Sequence, residues 1–204
     1  STKRTFKARL KIMTKLVYGV GVNAGKYPAK VNGKPLKEYD IWKSLLSRCY
    51  NHKCQQRKPT YIGCSASESF KNYSYFYEWC QNQIGFGQRG FQLDKDLISK
   101  GNKLYSEDTC LFLPNELNTL LISRKATRGD LPLGVSATHN KFITHCRTDK
   151  PSHHRGIFNT PEEAFQAYKQ AKEAFIKRQA EKWKAHIDPR AFAALMAYTI
   201  LITD

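Results

Sequence analysis

The sequence predicts an α+β protein built from short strands and amphipathic helices. Residues 91–123 follow the order strand, loop, strand, helix, and residues 133–184 contain three short strands followed by a long Ala-rich helix. With 41% hydrophobic residues, the chain has enough apolar side chains for a folded core. We therefore expect a ββα element with flanking helices, together with a small three-stranded antiparallel sheet packed on a long helix.

Two amphipathic helices precede the ββα element. In residues 38–51, the large apolar side chains recur at helical spacing, and in residues 67–84 an aromatic stripe does the same behind a capping Ser67. The stripe could stack on nucleic-acid bases, but such spacing is more typical of a buried helix face.

The ββα element is predicted from Phe91 onward. The run FQLDKDLI indicates a strand, SKGNK a turn, TCLFLP a returning strand, and PNELNTLLIS a helix with Pro114 near its first turn. Within it, Asp94 and Asp96 flank Lys95, a pattern that suits either a metal site or an ordinary hairpin.

The C-terminal module is predicted from a turn at His139-Asn140 between two strands, a third strand at HHRGIF, and a helix that starts at Pro161 behind Thr160. A short last helix covers the run PRAFAALMAYTIL. The predicted domain boundaries are a basic arm and strand at 1–37, a domain at 38–124, a polar linker at 125–132 and the C-terminal module at 133–204.

The charge points to a polyanionic partner. The chain carries 34 Lys or Arg against 17 acidic residues, a net charge of +17, and residues 1–37 hold ten basic side chains and no acid. No apolar run approaches the roughly 20 residues of a membrane-spanning helix, and no signal peptide is recognisable, so we expect no membrane partner.

The six cysteines show no CxxC pair and no regular spacing. They are expected to be reduced thiols, several of them buried, and a zinc site among Cys49, Cys54, Cys64 and Cys80 is the less favoured alternative.

The C-terminal module resembles the ethylene-responsive-factor type of DNA-binding domain, which is also appended to phage homing endonucleases. The stretch from Leu133 to Ala174 carries the resemblance through Gly134-Val135, Lys141-Phe142, Arg147, Gly156-Ile157-Phe158 and a Thr-x-Glu-Glu-Ala helix start with Tyr168. In that family alternate residues of the sheet read bases in the major groove. The resemblance aligns His145 and Arg147 with base contacts and His154 with an aromatic contact, and Lys141 and Arg155 are further candidate nucleic-acid contacts.

The preceding region is similar to the nuclease half of phage HNH-like (His-Me finger) homing endonucleases. The similarity lies in YGVGV, YDIWKSLLSRCYN, LDKDLISKGNKLYSEDTCLFLPNELN and RGDLP. It implies a metal site with Asp94 as a ligand and Asn118, or Asn115, as the helix ligand, while Asn102 would orient the catalytic base. Arg48 and Arg128 are candidate phosphate clamps.

This chain departs from the family at the catalytic base, because Lys95 stands where a histidine is expected. One possibility is that Asp94 and Asp96 hold the metal while Lys95 neutralises charge in the transition state. The other is that the element has lost catalysis and only binds DNA. Carboxylate oxygens suit Mg²⁺ or Mn²⁺ better than zinc, and no small-molecule cofactor is expected.

Three functions follow as hypotheses. The first is a phage homing-type endonuclease that hydrolyses phosphodiester bonds in double-stranded DNA with a divalent metal, acting in the cytoplasm of a bacterial host. The second is a catalytically inactive, sequence-specific DNA-binding protein, such as a repressor, on the same scaffold. The third is an RNA-binding protein that uses its many aromatic side chains.

Overall fold

The computed structural model describes residues 15–122, 130–146 and 154–204, with the side chains of residues 154 and 155 excepted. The chain forms two compact units. The first takes the chain up to Gln81 together with Lys103–Ser106, and the second takes Asn82–Asn102 and Glu107–Asp204.

The first unit is built mainly from helices. After a two-stranded hairpin of β1 (Lys30–Val31) and β2 (Lys34–Pro35), helix α1 spans Lys37–Tyr50 and α2 spans His52–Arg57. Helix α1 buries Trp42, Leu45, Leu46 and Cys49, the apolar positions whose spacing predicts it. The indole N–H of Trp42 donates to the carbonyl of Phe70 at 2.7 Å, so this buried polar group is satisfied.

The aromatic stripe at 67–84 forms two helices rather than the single predicted one. Helix α3 spans Glu68–Lys71 behind the capping hydroxyl of Ser67, and α4 spans Tyr73–Gln81. Asn72 interrupts them, because its side chain accepts from the backbone N–H groups of Ser74 and Tyr75 and so begins a new helix. The stripe is core, with Phe70, Tyr73, Phe76 and Cys80 buried.

A short parallel pair completes the first unit. Strand β3 (Ser65–Ala66) pairs with β5 (Leu104–Tyr105), which was not predicted, since each strand has only two residues. A 3₁₀ turn at Pro59–Tyr61 precedes β3.

The second unit contains the predicted ββα element. Strand β4 (Phe91–Asp94) pairs antiparallel with β6 (Leu111–Pro114), with Asp94 opposite Leu111, and α5 (Asn115–Leu120) follows directly. The first strand ends at Asp94, four residues earlier than its predicted end, because the Asp94 side chain turns the backbone there. Strand β6 is buried on both faces.

The three-stranded sheet packs on a long helix, as predicted. Strands β7 (Val135–Thr138), β8 (Lys141–Cys146) and β9 (His154–Phe158) form an antiparallel meander, and α6 spans Pro161–Trp183. Thr160 and Glu163 form a reciprocal capping box at the start of α6. The core between sheet and helix includes Val135, Cys146, Phe165 and Tyr168.

Gly134 lies at a close approach of the sheet to α6. Its φ is +76°, and a Cβ there would come within 2.1 Å of the Tyr168 ring. Its carbonyl also accepts from the Thr144 hydroxyl and the His145 backbone N–H, both at 3.1 Å. The glycine is therefore required by backbone conformation and by space.

Helix α6 also packs against the ββα element through its C-terminal half. The Trp183 ring meets Phe91 edge-on at 5.9 Å between centroids, and Lys182 pairs with Glu116 of α5 at 3.2 Å. Helix α7 (Pro189–Met196) then folds back and buries Ala191 and Leu195. One helix thus carries both the sheet and the ββα element, which places them in the same unit.

The α+β fold class is confirmed. All six cysteines are free thiols and five of them are buried, as the irregular spacing predicted. Across the described ranges, no helix is both long and apolar enough to cross a bilayer. Most of the predicted linker lies outside the described residues, as do residues 1–14 of the basic arm, so the predicted domain boundaries stay predictions.

Candidate active site and nucleic-acid interface

A cavity of about 380 Å³ opens at the end of the ββα element. It brings together three of the predicted site residues, Asp94 and Asp96 after β4 and Asn118 from α5. The rest of its wall comes from Leu97, Lys100, Gly101, Leu121, Ile122 and Tyr198. Asp94, Asp96 and Asn118 therefore share one cavity with several apolar side chains.

Asp94 is the half-buried acid of this cavity. One carboxylate oxygen, Oδ1, accepts from the backbone N–H groups of Asp96 at 3.0 Å and Leu97 at 2.8 Å. Burial raises the pKa of Asp94 above its usual range, the two backbone donors oppose this rise, and the negative charge of Asp96 adds to it. A cation in the cavity would favour the ionised form that burial disfavours.

Lys95 lies inside the loop rather than on the cavity wall. Its ammonium group is buried and donates to the Asp96 carboxylate and to the Asn102 carbonyl. In the other direction, the side-chain N–H of Asn102 donates to the Lys95 carbonyl at 3.0 Å. These two predicted catalytic residues form a reciprocal clamp that fixes the loop between the strands.

The cavity wall also includes a residue from the C-terminal part of the chain. Tyr198 lines the wall, and burial raises the pKa of its hydroxyl, with smaller contributions from Asp204 and Asp94. Lys100 pairs with Asp204, and its ammonium lies 5.6 Å from the centre of the Tyr198 ring. Tyr198 lies about 80 positions after Asn118, so no local pattern identifies it as part of this site.

The donor set fits a hard divalent cation in part. The two carboxylates and the Asn118 amide offer oxygen ligands, which Mg²⁺ and Mn²⁺ prefer. Within residues 15–122, 130–146 and 154–204, no three His, Cys, Asp or Glu side chains gather into a metal-binding group. Two carboxylates with an amide resemble Mg²⁺ sites, where water completes the coordination.

The exposed face of the three-stranded sheet presents the predicted reading residues of β8. Lys141 and His145 point to solvent, while Thr144 and Cys146 are buried. The pairing sets Ser136 beside Ile143 and Ile143 beside Ile157, whose side chain is 72% exposed. Lys141 donates to Asn159 at one edge.

Several predicted contacts cannot be placed on this face. Residues 154 and 155 lie in β9, opposite 146 and 145, but the structure describes only their backbone. Arg128 and Arg147 lie outside the described residues. Their assignment to nucleic-acid binding stays a prediction.

Arg48 lies in the first unit on α1, where its contacts are aromatic. Its Nη1 is 3.5 Å from the Tyr105 hydroxyl, and its guanidinium carbon lies 5.4 Å from the centre of the Tyr61 ring. The side chain is half-buried. The guanidinium thus contacts two tyrosine side chains.

Comparison with protein-family models, with curated proteins and with solved structures finds no match to this chain. The function is therefore inferred from the residues and their geometry.

Proposed function

We propose that this protein is a DNA-binding phosphodiesterase of the phage homing-endonuclease type, which uses a divalent metal ion at its ββα element. The observation that supports this most is the shared cavity of Asp94, Asp96 and Asn118. These oxygen donors come from the end of the first strand and from the following helix, the two places where the resemblance expects metal ligands.

The residues of the cavity and its loop would have the following roles. Asp94, Asp96 and Asn118 would hold Mg²⁺ or Mn²⁺, which when bound polarises a phosphate oxygen and lowers the pKa of a coordinated water. Asn102 and Lys95 would position the two aspartates by clamping the loop. Lys95 would also offset the charge of Asp96, with which it is paired.

Duplex binding is supported by charge and by the exposed sheet. A net charge of +17 favours a polyanion in a salt-dependent manner. Lys141 and His145 offer polar contacts to base edges or phosphates, and the exposed Ile157 can contact a thymine methyl group. Phosphate contacts would supply most of the affinity, and the sheet would supply sequence preference.

The test is nicking of supercoiled plasmids that carry phage genomic fragments, with Mg²⁺ or Mn²⁺ present. We expect nicked product that EDTA prevents and that Asp94→Ala abolishes. Asp130→Asn is the matched control, since Asp130 is exposed and outside the cavity lining, and this variant should nick like the wild type.

A second candidate function is that of a non-catalytic DNA-binding protein, such as a repressor. The position of the expected base histidine holds a buried, ion-paired lysine, and Asp94 Oδ1 is committed to two backbone N–H groups. Tight, salt-sensitive duplex binding without cleavage under any tested metal would favour this function. A preference for single-stranded RNA over duplex DNA would contradict both.

A further inference from the structure

The first unit contains a cleft of about 330 Å³ on the surface of α1. Its lining includes Asp40, Lys43, Ser44, Ser47, Arg48 and Lys58. The volume is roughly ten times the 30 Å³ that a water molecule occupies in the liquid, so a phosphate group and its hydration fit inside.

The cleft is built by the polar face of α1. Five of its residues, at positions 40, 43, 44, 47 and 48, follow the i, i+3, i+4, i+7, i+8 spacing of one helix face. The buried stripe of Trp42, Leu45, Leu46 and Cys49 occupies the opposite face. The helix is held by its apolar side and presents hydroxyl and cationic groups on the other.

The cationic side chains of the cleft outnumber its acidic ones. Lys43, Arg48 and Lys58 stand against one acid, Asp40. Among the described residues, no carboxylate lies within 4.0 Å of the nitrogen atoms of these three cations. Other lysines of the same unit do have such partners, as Lys26 pairs with Glu78.

Arg48 is the half-buried cation of the cleft. Its half-buried guanidinium contacts Tyr105 and Tyr61, which restrict its orientation without offering a negative charge. Desolvated cations are normally paired, and a planar guanidinium matches the geometry of phosphate oxygens. A half-buried arginine held by two phenol groups therefore indicates an anionic ligand.

We infer that this cleft is a phosphate-binding site that takes an internal phosphodiester of a nucleic-acid strand. Arg48 would form the central contact, Ser44 and Ser47 would donate their hydroxyl groups, and Lys43 and Lys58 would flank it. Both lysines and Ser44 are exposed, so a continuous strand can pass over them. That DNA supplies the phosphate rests on the proposed function, whereas the anion preference rests on the cleft alone.

The test compares duplex affinity across a salt series for the Lys43→Ala/Lys58→Ala double variant and for Lys53→Ala. Both lysines of the cleft are exposed, so the double variant should fold. We expect the slope of log affinity against log salt to flatten by about one to two in the double variant. Lys53 is an exposed lysine of the same unit outside the cleft, and its replacement should change the slope by clearly less.

Asp40→Asn tests the same site in the opposite direction, because removing the one acid of the cleft should tighten duplex binding. Inorganic phosphate, titrated while the backbone amide signals of Ser44, Ser47 and Arg48 are followed by NMR, should shift these signals in the wild type. The shifts should be weaker in the double variant.

Three outcomes would overturn the inference. The first is a double variant that binds duplexes like the wild type or no worse than Lys53→Ala. The second is phosphate-induced shifts without any change in duplex binding, which would assign the cleft to free phosphate. The third is a requirement for a 5′-phosphorylated duplex end, which would assign it to a terminal phosphate. Failure of plasmid nicking alone leaves the inference standing, because binding is measured without cleavage.

Discussion

Under the proposed function the two oxygens of Asp94 have separate roles, one in the loop and one at the metal, and the substitutions Asp94→Ala and Asp94→Asn distinguish them. Oδ1 accepts from the N–H groups of Asp96 and Leu97, and alanine removes both contacts. The Asp96 N–H is exposed to water, so most of the cost comes from the partly buried N–H of Leu97. Leaving such a donor without a partner costs about 1–3 kcal/mol.

Asparagine keeps an oxygen in the same position, so its effect on folding should be smaller. We expect Asp94→Asn to stay within about 1 kcal/mol of the wild type in free energy of unfolding, since neutral acceptors are weaker than charged ones. It should nevertheless lose Mg²⁺-dependent nicking by at least about a hundredfold, because the amide lacks the ligand charge.

Urea denaturation gives the stabilities, and plasmid nicking under matched metal gives the activities. Equal destabilisation of both variants would show that Oδ1 is not the critical acceptor. Nicking by Asp94→Asn at the wild-type rate would show that the carboxylate is not a metal ligand.

Three further predictions concern the fold. Gly134→Ala should lower the free energy of unfolding by about 2–5 kcal/mol in urea titrations, from a left-handed backbone and a clash with Tyr168; an effect below about 1 kcal/mol would contradict this close approach. Trp42→Phe should cost about 1–3 kcal/mol in the same assay, because the Phe70 carbonyl loses its buried donor; an unchanged midpoint would argue against that bond. Burial lowers the pKa of Lys172 in the folded protein. Above about pH 10.5 the amine is neutral in both the folded and the unfolded state, and the folded state loses stability as the pH falls through the lowered pKa and the buried amine gains a proton. Lys172→Met should therefore raise the thermal midpoint at pH 7.5, with a gain that shrinks toward pH 10.5; a gain that grows with pH would reverse the sign.

The elements that were predicted correctly depend on local patterns. Helix α6 begins at Pro161 because Thr160 and Glu163 cap it, and all the residues involved are neighbours in the sequence. The three strands of the C-terminal sheet follow from alternation, with Thr144 and Cys146 buried on either side of the exposed His145. A helix cap and the alternation of a strand each involve only residues that are close in the sequence. They can therefore be identified without knowledge of the fold.

The elements that were missed depend on contacts between distant residues. The apolar period continues across Asn72, so only the hydrogen bonds of its side chain reveal the break between α3 and α4. Strand β5 forms because Leu104 pairs with Ser65, which lies about 40 positions earlier in the chain.

The candidate site divides in the same way. Asp94 and Asp96 could be identified from the sequence, whereas Tyr198 joins their cavity only through the fold of the second unit. Arg48 of the cleft on α1 was predicted as a phosphate clamp, whereas its neighbours Lys43 and Ser47 were not, although their signal is local. The helical period that buries Trp42 and Leu45 on one face of α1 also brings Lys43 and Ser47 together on the opposite face.

The most direct test of the proposed metal site is a crystal structure of the protein soaked in Mn²⁺, with anomalous scattering used to locate the ion. We predict a peak in the cavity, at direct bonding distance from the carboxylate of Asp94 and close to Asp96 and Asn118, that disappears in Asp94→Asn. A cavity that holds no manganese at millimolar concentration, in crystals whose Asp94 is accessible to solvent, would contradict the proposal.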